Sequence, residues 1–436
     1  MPKTPATTER YAADFEAVQA GPAAEWLRDL RSRAFSRFRE LGFPTARKGN
    51  EPWKYTNVAP IAKAEFALSP DHAGGAGFRL PSVAPADEAW TTAVFINGRY
   101  VRSAAAPISS LAQALTTDGS LVRRYLAQYA DFENEAFTAL NTAFLQDGAF
   151  IHVPEGESRE RPIHIVFAAS ESAAPAVSYP RTLIVVGGHS KAVIIETYLS
   201  LGTSNHFTNA VTEVVVGDGA QVDHYRILLE NHEAFHVGVT RVHQDRDSSF
   251  TSTAFDAGAA LARQDLRVLL DAPGSETHLR GLYITTGTQH LDNFINIDHI
   301  KPHCTSRLYY KGILDDRSRA VFGGTVFVRP GADKTDAYQQ DKNLLLSDQA
   351  EVDSKPSLEI CADDVKCSHG ATAGAVDEDA LFYMRSRGLD EQTASLLLVK
   401  AFAGEILDTV RVPSLRSHLE QLTMLALPRF QGWRSV

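Results

Sequence analysis

Short strand-like segments recur at a nearly constant spacing through the middle of this chain, and this spacing restricts the fold more than any other feature. Each segment begins at a small or polar residue and continues into β-branched or aromatic residues, with Gly, Asp, Asn, Ser or Pro in most gaps. The segments begin at residues 190, 220, 249, 275, 304, 318 and 350. Most steps are about 29 residues, and one is about half as long. This repeat predicts a stack of strands, a β-solenoid, and leaves an irregular β-sandwich as the alternative.

Helical periodicity replaces the strand pattern at both ends of the chain. Apolar residues at helical spacing through 11–41 predict two helices, ended by Gly21 and Gly42. Near the other end, Asp377 and Asp390 are suited to cap two further helices, and Pro413 begins a third. The C-terminal helices carry apolar stripes, which pack against the protein's own core or dock a partner.

Residues 69–87 are rich in Gly, Pro and Ala, which is typical of a linker. We therefore predict an N-terminal helical domain with its linker over 1–88, a β-helix core over 89–372 and a C-terminal helical domain over 373–436.

Composition excludes several classes of protein. The 436 residues carry a net charge of −10, and no basic face is visible, which disfavours nucleic-acid binding. Three cysteines are too few for a disulfide scaffold and suit a reducing compartment. Neither a signal-peptide pattern nor an apolar run of about 18 residues is present, so we expect a cytoplasmic protein without a membrane span.

The motifs of common enzyme classes are missing, with one exception. The sequence contains no G-x-x-x-x-G-K-[ST] loop, no G-x-G-x-x-G fingerprint and no G-x-S-x-G elbow. His232, Glu233 and His236 do match H-E-x-x-H, the zinc-hydrolase pattern. That chemistry needs both histidines on one face of a helix, but the residues after His236 read as a strand. We therefore favour a turn leading into a strand and keep the zinc hydrolase as the alternative function.

Two further clusters contain metal-binding residue types. His299 and His303 are four residues apart beside Cys304, but Pro302 disfavours a helix there, so a turn between coils is the simpler interpretation. Cys367 and His369 are two residues apart, so on a strand they share one face, about 6.5 Å apart. A thiolate and an imidazole suit iron, copper or zinc, but two ligands do not complete a site.

The residues around this last cluster resemble a known family. DDVKCSHGAT and LFYMRSRG, residues 363–372 and 381–388, are similar to a C-terminal signature of the SufB/SufD family of iron–sulfur cluster assembly proteins. The similarity continues in EPWKYTNV, RAVFGGTVFV, KTDAYQQDKNLLLS and KPSLEI, in the same order along nearly the whole chain. The C-S-H-G stretch matches the SufD branch, whereas the SufB branch has an acidic E-H-E-A-T type of stretch.

This resemblance implies a right-handed parallel β-helix core flanked by helical domains. It also implies a scaffold subunit of a SufBCD complex rather than an enzyme. Such a subunit pairs with a SufB-type paralogue through the β-helix and with a SufC-type ATPase through the C-terminal helices. The resemblance leaves open a homodimer when the paralogue is absent.

The implied site is small. His369 matches the family histidine, a candidate iron or cluster ligand at the SufB–SufD interface, and Cys367 matches the neighbouring interfacial thiol. The cluster or iron would be transient and shared with SufB, with no permanently held cofactor. Cys361 departs from the family pattern and receives no role, and Cys304 is expected inside the solenoid.

Overall fold

The computed structural model describes residues 6–47, 49–70, 79–103 and 107–430. Helices flank a β-rich centre and also follow the first strands of that centre. The α-helices are α1 (Ala6–Glu9), α2 (Tyr11–Ala20), α3 (Glu25–Leu41), α4 (Ala59–Lys63), α5 (Leu111–Thr117), α6 (Gly119–Tyr125), α7 (Ala136–Ala143), α8 (Glu378–Ser386), α9 (Glu391–Leu407) and α10 (Pro413–Leu425). Short 3₁₀ turns span Glu51–Trp53 and Pro428–Phe430.

Strands of about ten residues dominate the rest of the chain. They are β1 (Ala67–Leu68), β2 (Thr91–Ile96), β3 (Arg99–Ser103), β4 (Ile108–Ser110), β5 (Gly148–Val153), β6 (Ile163–Ala169), β7 (Ala176–Ser178), β8 (Arg181–Val186), β9 (Lys191–Ser200), β10 (His206–Val216), β11 (Gln221–Leu229), β12 (Phe235–Gln244), β13 (Ser249–Asp256), β14 (Leu261–Leu270), β15 (Glu276–Thr285), β16 (His290–His299), β17 (Thr305–Leu314), β18 (Arg319–Val328), β19 (Asp336–Leu345), β20 (Glu351–Ile360) and β21 (Lys366–Gly374).

These strands form a β-solenoid, as the sequence predicts. From β8 onward, even-numbered strands stack in one sheet, sheet A, and from β9 onward odd-numbered strands stack in a second, sheet B. Each strand between the ends of the solenoid therefore pairs in parallel with the strand one coil earlier and one coil later; for example, Gln221 pairs with Lys191 and Ser249. The segment starts at 190, 220, 249, 275 and 304 that were identified in the sequence correspond to successive strands of sheet B. The short step from 304 to 318 corresponds to the passage from β17 in sheet B to β18 in sheet A.

Apolar side chains fill the space between the two sheets. Inward positions alternate along each strand, as in Leu279 and Tyr283 of β15 and Phe322 and Val326 of β18. Cys304 lies in this interior and is fully buried, which confirms the expectation for it.

The two groups of helices cover opposite sheets. Buried residues of α2, α3 and α7 pack with outward residues of sheet A, such as Phe207 and Val237. The apolar stripes of α9 and α10 pack with outward residues of sheet B, such as Tyr225 and Ile313. Both stripes thus belong to the protein's own core, and neither is a free docking groove.

The predicted helix limits agree with the structure. Gly42 follows α3 directly, Asp377 accepts a hydrogen bond from Ala380 N at 2.7 Å, and Asp390 accepts one from Thr393 N at 2.9 Å. Residues 71–78 of the predicted linker lie outside the described residues, and the three domain limits stay a prediction. Within the described ranges, no helix is long and apolar enough to cross a bilayer.

Candidate functional site at the last coil

The last coil of the solenoid, formed by β20 and β21, is its uncovered end. Each of these strands pairs on one side only, β20 with β18 and β21 with β19, among the described strands. None of their residues is buried, whereas at least every second residue of β18 is. Their outer edges consequently present backbone N–H and C=O groups without a neighbouring strand.

Cys367 and His369 lie on this last coil and share one face of β21, as their spacing predicts. Their register partners one coil back are Ala337 and Gln339, both of which point into the solenoid. Cys367 is half-buried against the apolar interior, and His369 is exposed. The face that is interior in earlier coils is therefore open to solvent at this end, where it carries one thiol and one imidazole.

Gln339 lies directly behind His369 and is fully buried. Its amide nitrogen donates to the carbonyl oxygen of Ser357 on β20 at 2.9 Å and lies 3.5 Å from His369 Nδ1. One side chain thus connects both strands of the last coil.

The local environment keeps the thiol of Cys367 protonated at neutral pH. Burial raises the pKa of Cys367, and the nearby carboxylate of Asp336 raises it further, against a partly opposing hydrogen bond from the backbone of Ala337. The side chain is therefore a soft ligand that must lose its proton when metal binds.

The other two cysteines do not join this pair. Cys361 is exposed and follows the end of β20, whereas the fully buried Cys304 donates from Sγ to the carbonyl oxygen of Ala272 at 3.3 Å. The structure shows no contact between Cys361 and His369.

The His299–His303 segment is a turn, as the presence of Pro302 predicts. His299 is buried at the end of β16 with Nε2 2.9 Å from Ser306 Oγ, and His303 is exposed in a left-handed conformation with φ of 62°. The two imidazoles lie in different environments and form no metal pair.

The H-E-x-x-H match does not form a zinc site. His232 and Glu233 are exposed in a turn, and His236 is buried on β12 with Nδ1 3.1 Å from Glu230 Oε2. The turn leading into a strand is confirmed. The helix that a zinc hydrolase requires is absent from this segment.

No group of three or more His, Cys, Asp or Glu residues is placed to hold a metal ion within the described part of the chain. His369 and Cys367 supply a nitrogen and a sulfur donor, which suit iron. A site with three or more side-chain ligands that includes this pair would need donors from outside the described residues.

A second exposed surface lies on α8, which has no buried residue. The side chains of Phe382 and Tyr383 are 73% and 58% exposed, and both belong to the LFYMRSRG segment. Large aromatic residues this exposed are typical of a surface that another protein covers.

The helices next to α8 are held firmly on the solenoid. The ammonium of Lys311, a β17 residue whose side chain is 1% exposed, lies 2.8 Å from Glu405 Oε2 on α9. Beyond α10, Arg429 donates two hydrogen bonds to Asp315, at 2.7 and 2.9 Å.

A cavity of about 510 Å³ lies between the N-terminal helices and the middle coils of sheet A. Arg263 lines it, but this guanidinium is already paired with Asp292 and lies between the rings of Trp53 and Phe294, 4.0 and 4.6 Å from their centroids. The contact of Arg263 with Trp53 joins the N-terminal segment to sheet A, and we assign no ligand to this cavity.

Comparison with known proteins identifies the family. Residues 167–402 match the family model described as SUF system FeS cluster assembly, SufBD core domain, and residues 89–165 match the SufBD protein N-terminal region. The chain belongs to the SufBD family. Its similarity to the SufD branch is confirmed too, because relatives named SufD match it over most of its length.

Three relatives illustrate how far the similarity extends. An iron–sulfur cluster assembly SufBD family protein of Synechocystis is 32% identical over 95% of this chain and 94% of its own. The iron–sulfur cluster assembly protein SufD of Escherichia coli is 30% identical over 87% and 88%, and that of Bacillus subtilis is 24% identical over 94% and 96%. Membership of the SufBD family gives this chain a role in iron–sulfur cluster assembly.

Sequence reasoning missed Gln339 and Lys311. Gln339 stands in the KTDAYQQD segment that carried the family resemblance, and only the coil register shows that it lies behind His369. Lys311 reads as an ordinary strand lysine, and nothing in its neighbours indicates that α9 would bury it.

Proposed function

We propose that this SufBD family chain is a non-catalytic scaffold subunit of a SufBCD-type complex in the cytoplasm. Its last coil pairs with a SufB-type paralogue, and its C-terminal helices bind a SufC-type ATPase. Iron–sulfur clusters are then assembled at the interface with the paralogue.

One observation carries this proposal: the uncovered end of the solenoid is the coil that presents His369 and Cys367. An open pair of β-edges is a template for a strand from another chain. A paralogue with the same solenoid would extend both sheets across the junction. The two side chains would then lie at the interface, close to ligands from the partner.

The chemistry of the pair fits a shared site. We propose His369 as an iron or cluster ligand and Cys367 as an interfacial thiol beside it. Three cysteines in the whole chain cannot supply a four-cysteine cluster site. The iron and the cluster are therefore cargo held between two subunits, and no cofactor belongs permanently to this chain.

The absence of a nucleotide motif fits a partner that hydrolyses ATP. We propose that the exposed aromatic surface of α8, formed by Phe382 and Tyr383, contributes to the contact with that ATPase. Because Lys311 and Asp315 connect the C-terminal segment to sheet B, movement of the ATPase would act directly on the solenoid. This connection supports a mechanism in which ATP-driven movement opens the interface at the last coil.

Anaerobic co-expression with a SufB-type and a SufC-type partner tests the proposal. We expect native mass spectrometry to find a complex that contains all three chains, with iron and sulfide bound. A complex that lacks one of the two partners would overturn the proposed pairing with that partner. A homodimer of this chain is expected only when the SufB-type paralogue is absent. A complex that assembles and matures clusters with His369 and Cys367 both replaced would instead indicate a metal-free adaptor.

A further inference from the structure

We propose that Gln339 is a positioning residue that determines which ring nitrogen of His369 can bind metal. The inference concerns the site of the proposed function and rests on it for the metal-binding step. The geometry that supports it belongs to this chain alone.

The amide of Gln339 uses both of its N–H groups. One donates to the carbonyl oxygen of Ser357 at 2.9 Å, and the other is directed at His369 Nδ1, 3.5 Å away. A carbonyl oxygen can only accept, so the bond to Ser357 fixes which end of the amide faces the imidazole. His369 Nδ1 must therefore act as the acceptor, and the ring proton of the neutral imidazole is on Nε2.

Gly324 provides the room for this arrangement. A Cβ atom at position 324 would lie 2.8 Å from Gln339 Oε1 and 3.0 Å from the ring of Phe322. Any larger residue would therefore displace the amide from its position beside His369. Three segments from two successive coils thus meet at one layer: the Gly-Gly pair of β18, the Gln-Gln pair of β19 and the Cys-Ser-His segment of β21.

This arrangement limits metal binding in the free subunit. The lone pair of Nδ1 is covered by the amide, and Nε2 carries a proton. For metal to bind at Nε2, the ring proton must move to Nδ1. The amide N–H of Gln339 faces Nδ1, and it cannot accept a hydrogen bond from the proton there. Turning the amide by half a rotation would supply an acceptor but would set Oε1 against the carbonyl oxygen of Ser357.

The tautomer of His369 gives a direct test in the isolated full-length chain. In ¹⁵N-histidine-labelled protein, we expect long-range ¹H–¹⁵N spectra to show His369 protonated at Nε2. Gln339→Leu should give a mixture of tautomers, and Gln339→Glu should move the proton to Nδ1. Gln340→Leu, an adjacent residue with its side chain on the outer face, is the matched control and should leave the spectrum unchanged.

A second variant leaves Gln339 intact, in case its replacement unfolds the last coil. Gly324→Ala displaces the amide and should also produce the mixed tautomers. An unchanged Nε2–H signal in both Gln339→Leu and Gly324→Ala would overturn the proposal.

Metal affinity supplies the second readout. Cobalt(II) is titrated into the isolated chain, and binding to the His369→Ala variant is subtracted as background. Gln339→Glu should bind cobalt(II) about tenfold more tightly than the wild-type chain, since outer-shell partners change metal affinity by about 10–100-fold. Equal affinity would overturn the metal-binding step. The tautomer of His369 could respond to substitution of Gln339 although cluster assembly does not require His369. That result would retain the positioning role of Gln339 and reject only the proposed function.

Discussion

The Nζ atom of Lys311 lies 2.8 Å from Glu405 Oε2 and joins the β-solenoid to helix α9. The same ammonium donates to the carbonyl oxygen of Phe402 at 2.8 Å and lies 3.9 Å from the centroid of its ring. Burial lowers the pKa of Lys311, and the carboxylate of Glu405 opposes that effect. The contact places a charge in an apolar interface, where its loss of hydration must be offset by its partners.

Glu405→Ala should lower the free energy of unfolding by about 1–2 kcal/mol, because a nearly buried ammonium loses its charged partner. Urea denaturation measures this change. Glu420→Ala, an exposed glutamate on α10, is the control and should alter stability by less than about 0.5 kcal/mol. Equal effects of the two variants would show that the ion pair does not join the helix to the solenoid.

Acid should destabilise the solenoid through the buried imidazole of His299. Burial lowers the pKa of His299 to about 4, so between about pH 6.5 and 4 the unfolded chain binds a proton that the folded chain does not. Stability therefore falls as pH decreases through this range, by up to about 3 kcal/mol from this residue.

Denaturation at several pH values with His299→Gln tests this contribution. The variant can still hydrogen-bond Ser306, and it should show a shallower loss of stability over the same pH range. The exposed His232→Gln variant should retain the full slope. A His299→Gln slope as steep as that of the wild-type chain would refute the assignment.

The fold could be predicted because its repeat is visible in the amino-acid pattern. Small residues mark the start of each strand, and helix caps such as Asp377 and Asp390 mark the start of C-terminal helices. The half step between 304 and 318 even records the passage from one sheet to the other.

The composition of the site could be predicted only in part. The two-residue spacing places Cys367 and His369 on one strand face, but the position of Gln339 depends on a coil length that varies between neighbours. Gln221 is 30 residues from its earlier partner, Lys191, and 28 from its later one, Ser249. Likewise, an apolar helix stripe looks the same whether it covers sheet B or a partner, so the sequence could not decide between these two roles for α9.

Proline at position 371 should block pairing at the last coil without breaking the solenoid. Lys366 N donates back to Thr335 O, so by strand alternation the N–H of Ala371 points away from β19 to the open edge. Ala371→Pro removes this outward-facing N–H donor, and edge strands tolerate proline at such positions. We expect at least about tenfold weaker binding to the SufB-type partner, equivalent to about 1.4 kcal/mol, with an unchanged circular dichroism spectrum.

Size-exclusion chromatography with light scattering measures this association. The matched control is Ala373→Gly, two residues further along the same open edge of β21, which keeps its backbone N–H and should pair normally. Undiminished pairing of Ala371→Pro would place the interface elsewhere.

Phe382→Ser should weaken binding of the ATPase and leave the fold unaffected. The ring is 73% exposed on α8, so its removal takes away little internal packing. If it anchors the contact, its loss should cost about 2 kcal/mol of binding, or roughly thirtyfold in affinity. Leu425→Ser, another exposed apolar residue on α10, is the comparison variant, and isothermal titration calorimetry is the measurement. Unchanged affinity for Phe382→Ser would remove α8 from the docking surface.

The central claim is that His369 acts as a ligand for iron or a nascent cluster where two solenoids meet. The most direct measurement is the iron and acid-labile sulfide content of anaerobically purified complexes that contain either His369→Ala or the exposed control His232→Ala. We predict intact complexes in both cases, with cluster content strongly reduced only in His369→Ala. Normal iron and sulfide in the His369→Ala complex would contradict the account.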